Sequence, residues 1–269
     1  KSYGPQSAQE LIDYGHNQAR FEATYPRQPH IIDSMDAVKR MFDGYDTAVR
    51  YVDDAVGRVI ETLAAQGILD DTVIIISADH GENLGEQNVY GGHRLADYGT
   101  THIPMIIRWP GVTDSGNVTD AFHYNVDMAA TVLDMVGAEV PDNWDGESFA
   151  GGLKSGSVSG RDYVVVSQGA GAAQRGVRFG DYMLIRSYHD GHQDMTPIAL
   201  YNIADDPHET VNLADSQPEV VAQGLALLEQ WLTQMMLTGE GHDDPMWAVI
   251  AQGGGYHARG ELPAYLERL

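Results

Sequence analysis

The stretch Thr72-Val-Ile-Ile-Ile-Ser-Ala-Asp-His-Gly-Glu82 decides the fold class of this chain. Its first half is a run of β-branched residues that is apolar on both faces, which is typical of a central strand in a parallel sheet. Its second half places a carboxylate and an imidazole, those of Asp79 and His80, directly after that strand. In open α/β sheets, ligands bind beyond the carboxyl ends of the strands. The stretch therefore predicts an α/β protein with a ligand site at this strand end.

Asp79 and His80 are the candidate metal ligands of this site. Carboxylate oxygens and imidazole nitrogens both bind divalent cations in proteins. Gly81, the next residue, allows a close approach of backbone. The spacing leaves a second interpretation open, in which the Asp-His pair only caps the junction between the strand and the following loop.

A long helix is predicted before this stretch. Apolar residues recur at three- and four-residue steps over residues 38–63, which indicates an amphipathic helix that lies against a sheet. Ser34 or Asp33 can cap its start, and Gly67 ends it.

The segments after the stretch continue the alternation of strands and helices. Residues 103–109 form a second short apolar run, closed by Pro110-Gly111, and predict another buried strand. Asp127 can cap a helix that ends at Gly137. Strands that alternate with helices predict an α/β layer fold.

Residues 81–102 are rich in glycine, histidine and charge, and predict a long loop that contains Gly91-Gly-His-Arg94. If this loop folds over the strand end, His93 or Arg94 can bind an anionic oxygen, and His93 can protonate a leaving group. His102 precedes the second strand and is a further candidate for contact with a substrate. The alternative is a basic loop that is only solvated.

The pattern changes after about residue 150, where a Gly- and Ser-rich stretch at 151–160 predicts a linker or boundary. Short antiparallel strands are predicted at 163–167, 176–179, 182–188 and 198–201, followed by a helix at 218–236. We therefore predict three parts: residues 1–150 in the α/β domain, 151–238 as a small antiparallel subdomain with a packing helix, and 239–269 as a tail. Short helices are also predicted near residues 7–14 and at the end of the chain.

The composition limits the partners of the protein. The 269 residues carry a formal net charge of −23, with 39 acidic and 16 basic side chains. This charge argues against nucleic acid and anionic membranes as partners, because both require basic patches. An anionic substrate would need positive charge at the site itself, from a metal or basic side chains. The chain has no cysteine and no apolar stretch long enough for a membrane helix, and its cellular compartment stays open.

Five segments, in order along the chain, resemble segments of the sulfatase family. They are Tyr45-Asp-Thr-Ala-Val-Arg-Tyr-Val-Asp-Asp-Ala-Val-Gly57, Gly67-Ile-Leu-Asp-Asp-Thr-Val-Ile-Ile-Ile-Ser-Ala-Asp-His-Gly-Glu82, Ile103-Pro-Met-Ile-Ile-Arg-Trp-Pro-Gly111, Asn125-Val-Asp-Met-Ala-Ala-Thr-Val-Leu-Asp-Met-Val-Gly137 with Asp145-Gly-Glu-Ser148, and Tyr201-Asn-Ile-Ala-Asp-Asp-Pro-His-Glu-Thr-Val-Asn-Leu-Ala214. The resemblance implies part of an alkaline-phosphatase-like mixed or parallel sheet with flanking helices, plus a small C-terminal antiparallel α+β subdomain. It also implies hydrolysis of sulfate esters at a divalent cation, usually calcium, with magnesium or manganese as alternatives.

The resemblance assigns roles to individual residues. Asp79 matches a metal ligand, and His80 falls where the family has Asn or His, so that it would bind the metal or touch the sulfate. His93 falls where many members have a sulfate-binding Lys, and Arg94 beside it would share that role. The His is a departure, because an imidazole is cationic only at lower pH unless an anion raises its pKa.

A second departure concerns the nucleophile. The family uses a Cys or Ser in a Cys/Ser-x-Pro-x-Arg motif, which is oxidised to formylglycine, and no such motif is found in this chain. The resemblance therefore implies that about the first two-fifths of the enzyme, with the formylglycine and further metal ligands, is not in this sequence. We expect the chain alone to be inactive and poorly stable, because its sheet would expose apolar edges.

Several alternatives remain at this stage. The substrate is expected to be a small anionic ester, and a phosphonate monoester or phosphodiester hydrolase on the same fold is the nearest rival to a sulfatase. A non-catalytic scaffold chain is a second rival. The expected partner is the N-terminal portion, as part of the same protein or as a separate chain, and a homo-oligomer is also compatible with the sequence. His257 and Arg259 in the tail are interpreted as part of a surface clasp or, less simply, as residues that reach a site.

Overall fold

The structure is a computed structural model that describes residues 34–191, 195–238 and 243–255. Its helices are α1 Met35–Ala65, α2 Tyr98–Thr101, α3 Asn125–Met135, α4 Ala150–Ser155, α5 Pro218–Thr238 and α6 Met246–Ala251. Its strands are β1 Ile74–Ser77, β2 Asn83–Leu84, β3 Tyr90–Gly92, β4 Met105–Arg108, β5 Tyr163–Gln168, β6 Ala173–Phe179, β7 Tyr182–His189 and β8 Ile198–Asn202. The helices predicted at residues 7–14 and at the chain end lie outside the described residues, as do His257 and Arg259.

The long predicted helix is confirmed as α1. The Ser34 hydroxyl accepts a hydrogen bond from the amide N–H of Ala37 at 3.2 Å and caps its start. The expectation that this helix lies against a sheet is not met within the described part of the chain. Only its first turns are covered, where Ala37 packs on Tyr90. Farther along, the side chains of Val52 and Val59 are 59% and 60% exposed. The apolar face of α1 is therefore largely uncovered.

The two predicted strands of the α/β part pair with each other. Strands β1 and β4 are antiparallel, with Ile75 opposite Ile107 and Ser77 opposite Met105. This corrects the parallel arrangement that the apolar run of β1 predicted for its neighbour. A β-branched run reports burial on both faces, but it does not report the direction of the adjacent strand. Ile106 on β4 is 59% exposed, so this face is also uncovered.

The segment 81–102, predicted as a long loop, contains regular structure. Strands β2 and β3 form a short antiparallel hairpin, and α2 follows it. The Asp97 carboxylate caps α2 by accepting the amide N–H of Thr100 at 3.0 Å. Both elements are too short to show a periodicity in the sequence.

Two further predictions about helices need correction. Asp127 is not the N-cap of α3, because it lies in the first turn and accepts the N–H of the cap residue, Tyr124, at 2.7 Å. Its buried carboxylate also forms an ion pair with the guanidinium of Arg161. The predicted linker at 151–160 contains α4, which ends at Gly156, where φ is +72°. Glycine disfavours a helix, so the two glycines at the start of that stretch concealed it in the sequence.

The predicted antiparallel subdomain is confirmed as a four-stranded meander in the order β5-β6-β7-β8. Helix α5 covers one face of this sheet, and the core between them includes Leu184, Leu200 and Leu228, which are fully buried. The opposite face carries a second buried cluster around Tyr201 and Met183, which faces Tyr98 of α2. The subdomain thus packs directly against the segment that follows β1. None of the helices in the described ranges combines the length and apolar character that a bilayer crossing requires.

Candidate metal and anion site

Asp79 and His80 lie directly after β1, as the sequence predicts. The Nδ1 atom of His80 lies 2.7 Å from the carbonyl oxygen of Gly81 and must donate to it, because a carbonyl only accepts. This tautomer leaves a free lone pair on Nε2, which lies 3.8 Å from Oδ2 of Asp79. Two ligands about 2.4 Å from one calcium ion lie about 3.4 Å apart at a right angle. The distance between these two atoms is therefore compatible with a shared divalent cation.

This pair is not a complete coordination shell. The Asp79 side chain is 91% exposed, and its Oδ1 accepts only the neighbouring amide N–H of His80 at 3.1 Å. Calcium binds about six to eight oxygen ligands, and the pair supplies at most two of them together with one nitrogen. Further ligands are therefore needed for tight binding.

His93 lies next to His80, as expected for a shared site. The two imidazole rings stack, with centroids 3.6 Å apart and planes inclined by 23°. The Nδ1 atom of His93 lies 3.5 Å from Oε2 of Glu82, a carboxylate that is mostly buried. The segment after β1 thus brings His93 back over the end of the strand, so that a half-exposed imidazole faces the predicted ligands.

Glu82 is a site residue that the sequence interpretation missed. Ligand atoms of His80, Glu82 and His93 all lie within 4.8 Å of one another. The stacked rings do not both bind one ion in this arrangement, because an ion must lie near the plane of each ring to meet its lone pair. Glu82 is instead placed to orient His93. Its position two residues after His80 was the available signal.

Gly81 sets the geometry beneath the site. A Cβ atom at this position would lie 2.0 Å from the carbonyl oxygen of Gly99. The Gly81 amide N–H also donates to the carbonyl oxygen of Thr100 at 2.8 Å. The close backbone approach expected from this glycine is therefore made to helix α2, which closes the segment that carries His93.

The structure places Arg94 and His102 against other groups. The stem of Arg94 packs on Gly171, in the turn between β5 and β6. The ring of His102 stacks on that of Tyr98, with centroids 4.5 Å apart. Burial, together with the charge of Arg178, lowers the pKa of His102, so its neutral form is favoured. His102 is therefore suited to hydrogen bonding rather than to supplying positive charge.

Comparisons with known proteins agree with this architecture. Residues 5–138 match the family described as Sulfatase, and residues 85–236 match the family described as N-sulphoglucosamine sulphohydrolase, C-terminal. An N-acetylglucosamine-6-O-sulfatase from Bacteroides thetaiotaomicron is 30% identical over 178 residues, which are 63% of this chain and 31% of that protein.

Two solved structures extend the comparison. One is a complex with the substrate D-glucosamine-2-N,6-O-disulfate; it has a TM-score of 0.61 and 25% identity over 88% of this chain and 47% of that chain. The other, a phosphonate monoester hydrolase from Agrobacterium radiobacter, has a TM-score of 0.55 and 26% identity over 73% of this chain and 40% of that chain.

The mixed α/β architecture of this chain, with its antiparallel subdomain, agrees with the alkaline-phosphatase-like fold of these neighbours. The chain spans about a third of the length of the curated relatives it matches and about half of the solved structures. Within that fold class, the chain belongs to the sulfatase family.

Proposed function

We propose that the protein formed by this chain and its N-terminal portion hydrolyses sulfate esters at a bound divalent cation. The observation that carries the proposal is the placement of Nε2 of His80 3.8 Å from Oδ2 of Asp79, with His93 stacked beside them. Membership of the sulfatase family supports the same chemistry.

Asp79 and His80 are the residues of this chain that would hold the cation. The hydrogen bond from Nδ1 of His80 to the Gly81 carbonyl fixes the ring so that Nε2 can bind. Calcium is the proposed ion, with magnesium and manganese as alternatives. When bound, such an ion neutralises the negative charge of the sulfate group and stabilises charge on the transferred group.

His93 is the proposed general acid for the leaving oxygen. Its Nδ1 faces the Glu82 carboxylate at 3.5 Å, so Glu82 can hold the ring in one orientation. The other ring nitrogen is then available to carry a proton to an alkoxide. Arg94 and His102 are proposed as additional contacts of the substrate, Arg94 with the sulfate charge and His102 by hydrogen bonding. The overall charge of −23 makes such local cationic groups necessary for an anionic ester.

We further propose that an N-terminal portion supplies a formylglycine nucleophile and the remaining metal ligands. The exposed apolar faces support this view: Val52 and Val59 on α1 and Ile106 on β4 are each about 60% exposed. Large exposed apolar surfaces are uncommon on a free soluble domain. Their proposed occupant is this N-terminal portion, and a second copy of the chain is the competing occupant.

A phosphonate monoester hydrolase is the second candidate. The likeness to the enzyme from Agrobacterium radiobacter favours it, and the histidine at position 93 leaves it open. The two candidates differ in the group transferred and therefore in the substrate that is turned over fastest. A non-catalytic scaffold would turn over neither.

The deciding experiment uses the full-length product of the gene, stripped with a chelator and reloaded with calcium, magnesium or manganese. 4-Nitrophenyl sulfate and 4-nitrophenyl phenylphosphonate are compared at matched concentrations. Faster, metal-dependent turnover of the sulfate supports the sulfatase proposal, and faster turnover of the phosphonate supports the alternative. The variants Asp79→Ala and His80→Ala test the ligand assignment. Each should lose the metal-dependent activity that the wild type shows. No turnover of either ester by metal-loaded protein would contradict both.

A further inference from the structure

The segment that carries His93 is held at both ends by one side chain from the distant antiparallel subdomain. We call residues 87–98 the His93 loop. Oε1 of Glu209 accepts the amide N–H of Tyr98 at 3.0 Å, and Oε2 accepts Nε2 of Gln87 at 3.2 Å. Glu209 is fully buried, and it lies 122 residues from Gln87 in sequence. A single carboxyl group therefore fixes the entry and the exit of the loop.

The backbone is strained at Gln87 and at Glu209, the two residues whose side chains share a hydrogen bond. Gln87 has φ of +54° and Glu209 has φ of +53°. Among the described residues, these are the two non-glycine positions with positive φ, and they bond directly to each other. Left-handed backbone is unfavourable at residues that carry a Cβ, and it persists only where the surroundings enforce it. The strain is therefore concentrated at the contact that fixes the loop.

A buried polar network extends this contact around the exit of the loop. The Asp97 carboxylate accepts the Thr100 amide N–H and a short hydrogen bond from the Asn83 side-chain amide. The Thr100 hydroxyl in turn donates to Oδ1 of Asn83 at 2.6 Å. All of these side chains are buried. A buried network in which every group is satisfied restricts its members to one arrangement.

Two further side chains of the subdomain bond to the loop itself. Nε2 of Gln168 on β5 donates to the carbonyl oxygen of His93 at 3.0 Å. Oε1 of Gln174 on β6 accepts the amide N–H of Ala96 at 3.1 Å. Beside Glu209, His208 bonds to Glu86 at 2.9 Å, just before the loop begins. The loop is therefore hydrogen-bonded to the subdomain before His93, at His93 itself and after it.

We infer that Glu209 is a positioning residue that fixes the His93 loop over the site, so that the antiparallel subdomain determines where His93 stands. The catalytic part of this inference rests on the proposed sulfate-ester hydrolysis. Glu209 does not touch His93, and it acts through the backbone of Tyr98 and the side chain of Gln87. A displacement of about 1 Å in a catalytic group can lower the rate about 100-fold.

Two substitutions separate the charge of Glu209 from its hydrogen bonds. In Glu209→Gln, an amide oxygen can still accept the Tyr98 N–H, and the side chain imitates a protonated carboxyl. In Glu209→Ala, both hydrogen bonds are lost. Leu228→Ala is the matched control, because it opens the buried core between α5 and the sheet without touching the loop. We expect Glu209→Ala to lower kcat by about 10- to 100-fold on alkyl sulfates and less on activated aryl sulfates. We expect Glu209→Gln to stay within about threefold of the wild type on both.

The test combines these kinetics with amide hydrogen exchange on the full-length protein. Glu209→Ala should raise exchange in peptides that cover residues 87–98 far more than in peptides from β5 to β8. Leu228→Ala should raise exchange mainly in the subdomain and lower kcat equally on both classes of ester. A Glu209→Ala protein with unchanged exchange in the loop, or with equal losses on both esters, would overturn the inference.

The two proposals fail in different ways. A wild-type protein that turns over no ester contradicts the proposed function, while the exchange pattern still decides whether Glu209 fixes the loop. If Glu209→Ala gives no soluble protein, Gln87→Ala takes its place, because it removes one of the two bonds and leaves Glu209 buried. Raised exchange confined to residues 87–98 then supports the inference, and unchanged exchange there rejects it.

Discussion

At the scale of single residues, the proposed chemistry depends on His93. Its ring stacks on His80, the proposed metal ligand, and faces Glu82. His93→Ala should therefore slow alkyl sulfates, which need protonation of the leaving oxygen, by about 100-fold or more. Activated aryl sulfates should lose less than about tenfold. The measurement is the leaving-group dependence of kcat, and equal losses on both classes would exclude the acid role.

Gly81 is the position where the site tolerates no side chain. The added Cβ of Gly81→Ala would lie 2.0 Å from the Gly99 carbonyl oxygen, so the backbone must move. We expect a loss of at least about 1–3 kcal/mol in the free energy of unfolding, together with loss of activity. Gly151→Ala is the control, because a Cβ there meets nothing within 4 Å. Comparable urea midpoints for the two variants would contradict this expectation.

The sequence predicted the residues of the site that are close together in the chain. Asp79 and His80 follow a strand directly, so local order was enough to place them. Their neighbour Glu82 was overlooked, although it lies in the same stretch. Glu209 was beyond reach, because nothing in its surroundings in sequence shows that its partner is Gln87, 122 residues away.

At the scale of elements, the periodicity of apolar residues predicted the helices and strands that are long enough to show a period. Helices α1 and α5 and the four strands of the subdomain were predicted within a few residues. The hairpin β2–β3 and helix α2 were missed, because two to four residues cannot display a period. The pairing of β1 with β4 was also missed, since strand direction depends on chain path rather than on composition.

Asp127 bonds helix α3 to the subdomain. We expect this contact to contribute more to stability than any other single side chain of α3. The fully buried carboxylate bonds to Arg161 and to the amide N–H groups of Tyr124 and Glu147. Asp127→Ala leaves the mostly buried Arg161 without its partner, which costs about 3–5 kcal/mol in comparable cases. Asp134→Ala, in the same helix, removes a carboxylate whose ion pair with Lys154 is partly exposed, and it should cost less than about 1 kcal/mol. Urea unfolding of the two variants side by side measures the difference.

The protonation state of Glu209 affects the stability of the whole molecule. Burial, followed by the charges of Asp97 and Asp206, raises the pKa of this carboxyl well above its usual range. The hydrogen bonds from the Tyr98 N–H and the Gln87 side chain lower its pKa, but by less than burial raises it. The folded state therefore keeps a proton that the unfolded state loses near pH 4.3, at about the usual value for Glu. The free energy of unfolding should fall as pH rises from about 4 toward the raised pKa. Burial also raises the pKa of Asp97, which adds to the same fall. Glu209→Gln should therefore reduce this fall, and urea unfolding across that range tests it against the wild type.

The uncovered apolar faces of α1 and β4 also have a consequence for the whole molecule. The chain alone should bind a hydrophobic dye and associate with itself, because Val52, Val59 and Ile106 are in contact with water. The full-length protein should do neither. Dye fluorescence and light scattering at equal protein concentration measure this difference. A monomeric chain with no dye binding would contradict the proposal that a further portion covers these faces.

The bond between Gln87 and Glu209 also sets an order of events during synthesis. The two residues are separated by 122 positions, and ribosomes add about 5–20 residues per second. The loop that carries His93 therefore waits about 6–24 s for its partner to be made. Through that interval the nascent chain presents the loop and its charged neighbours without their final contacts. A protease added during synthesis should therefore cut this segment more readily than it cuts the same segment of the folded protein.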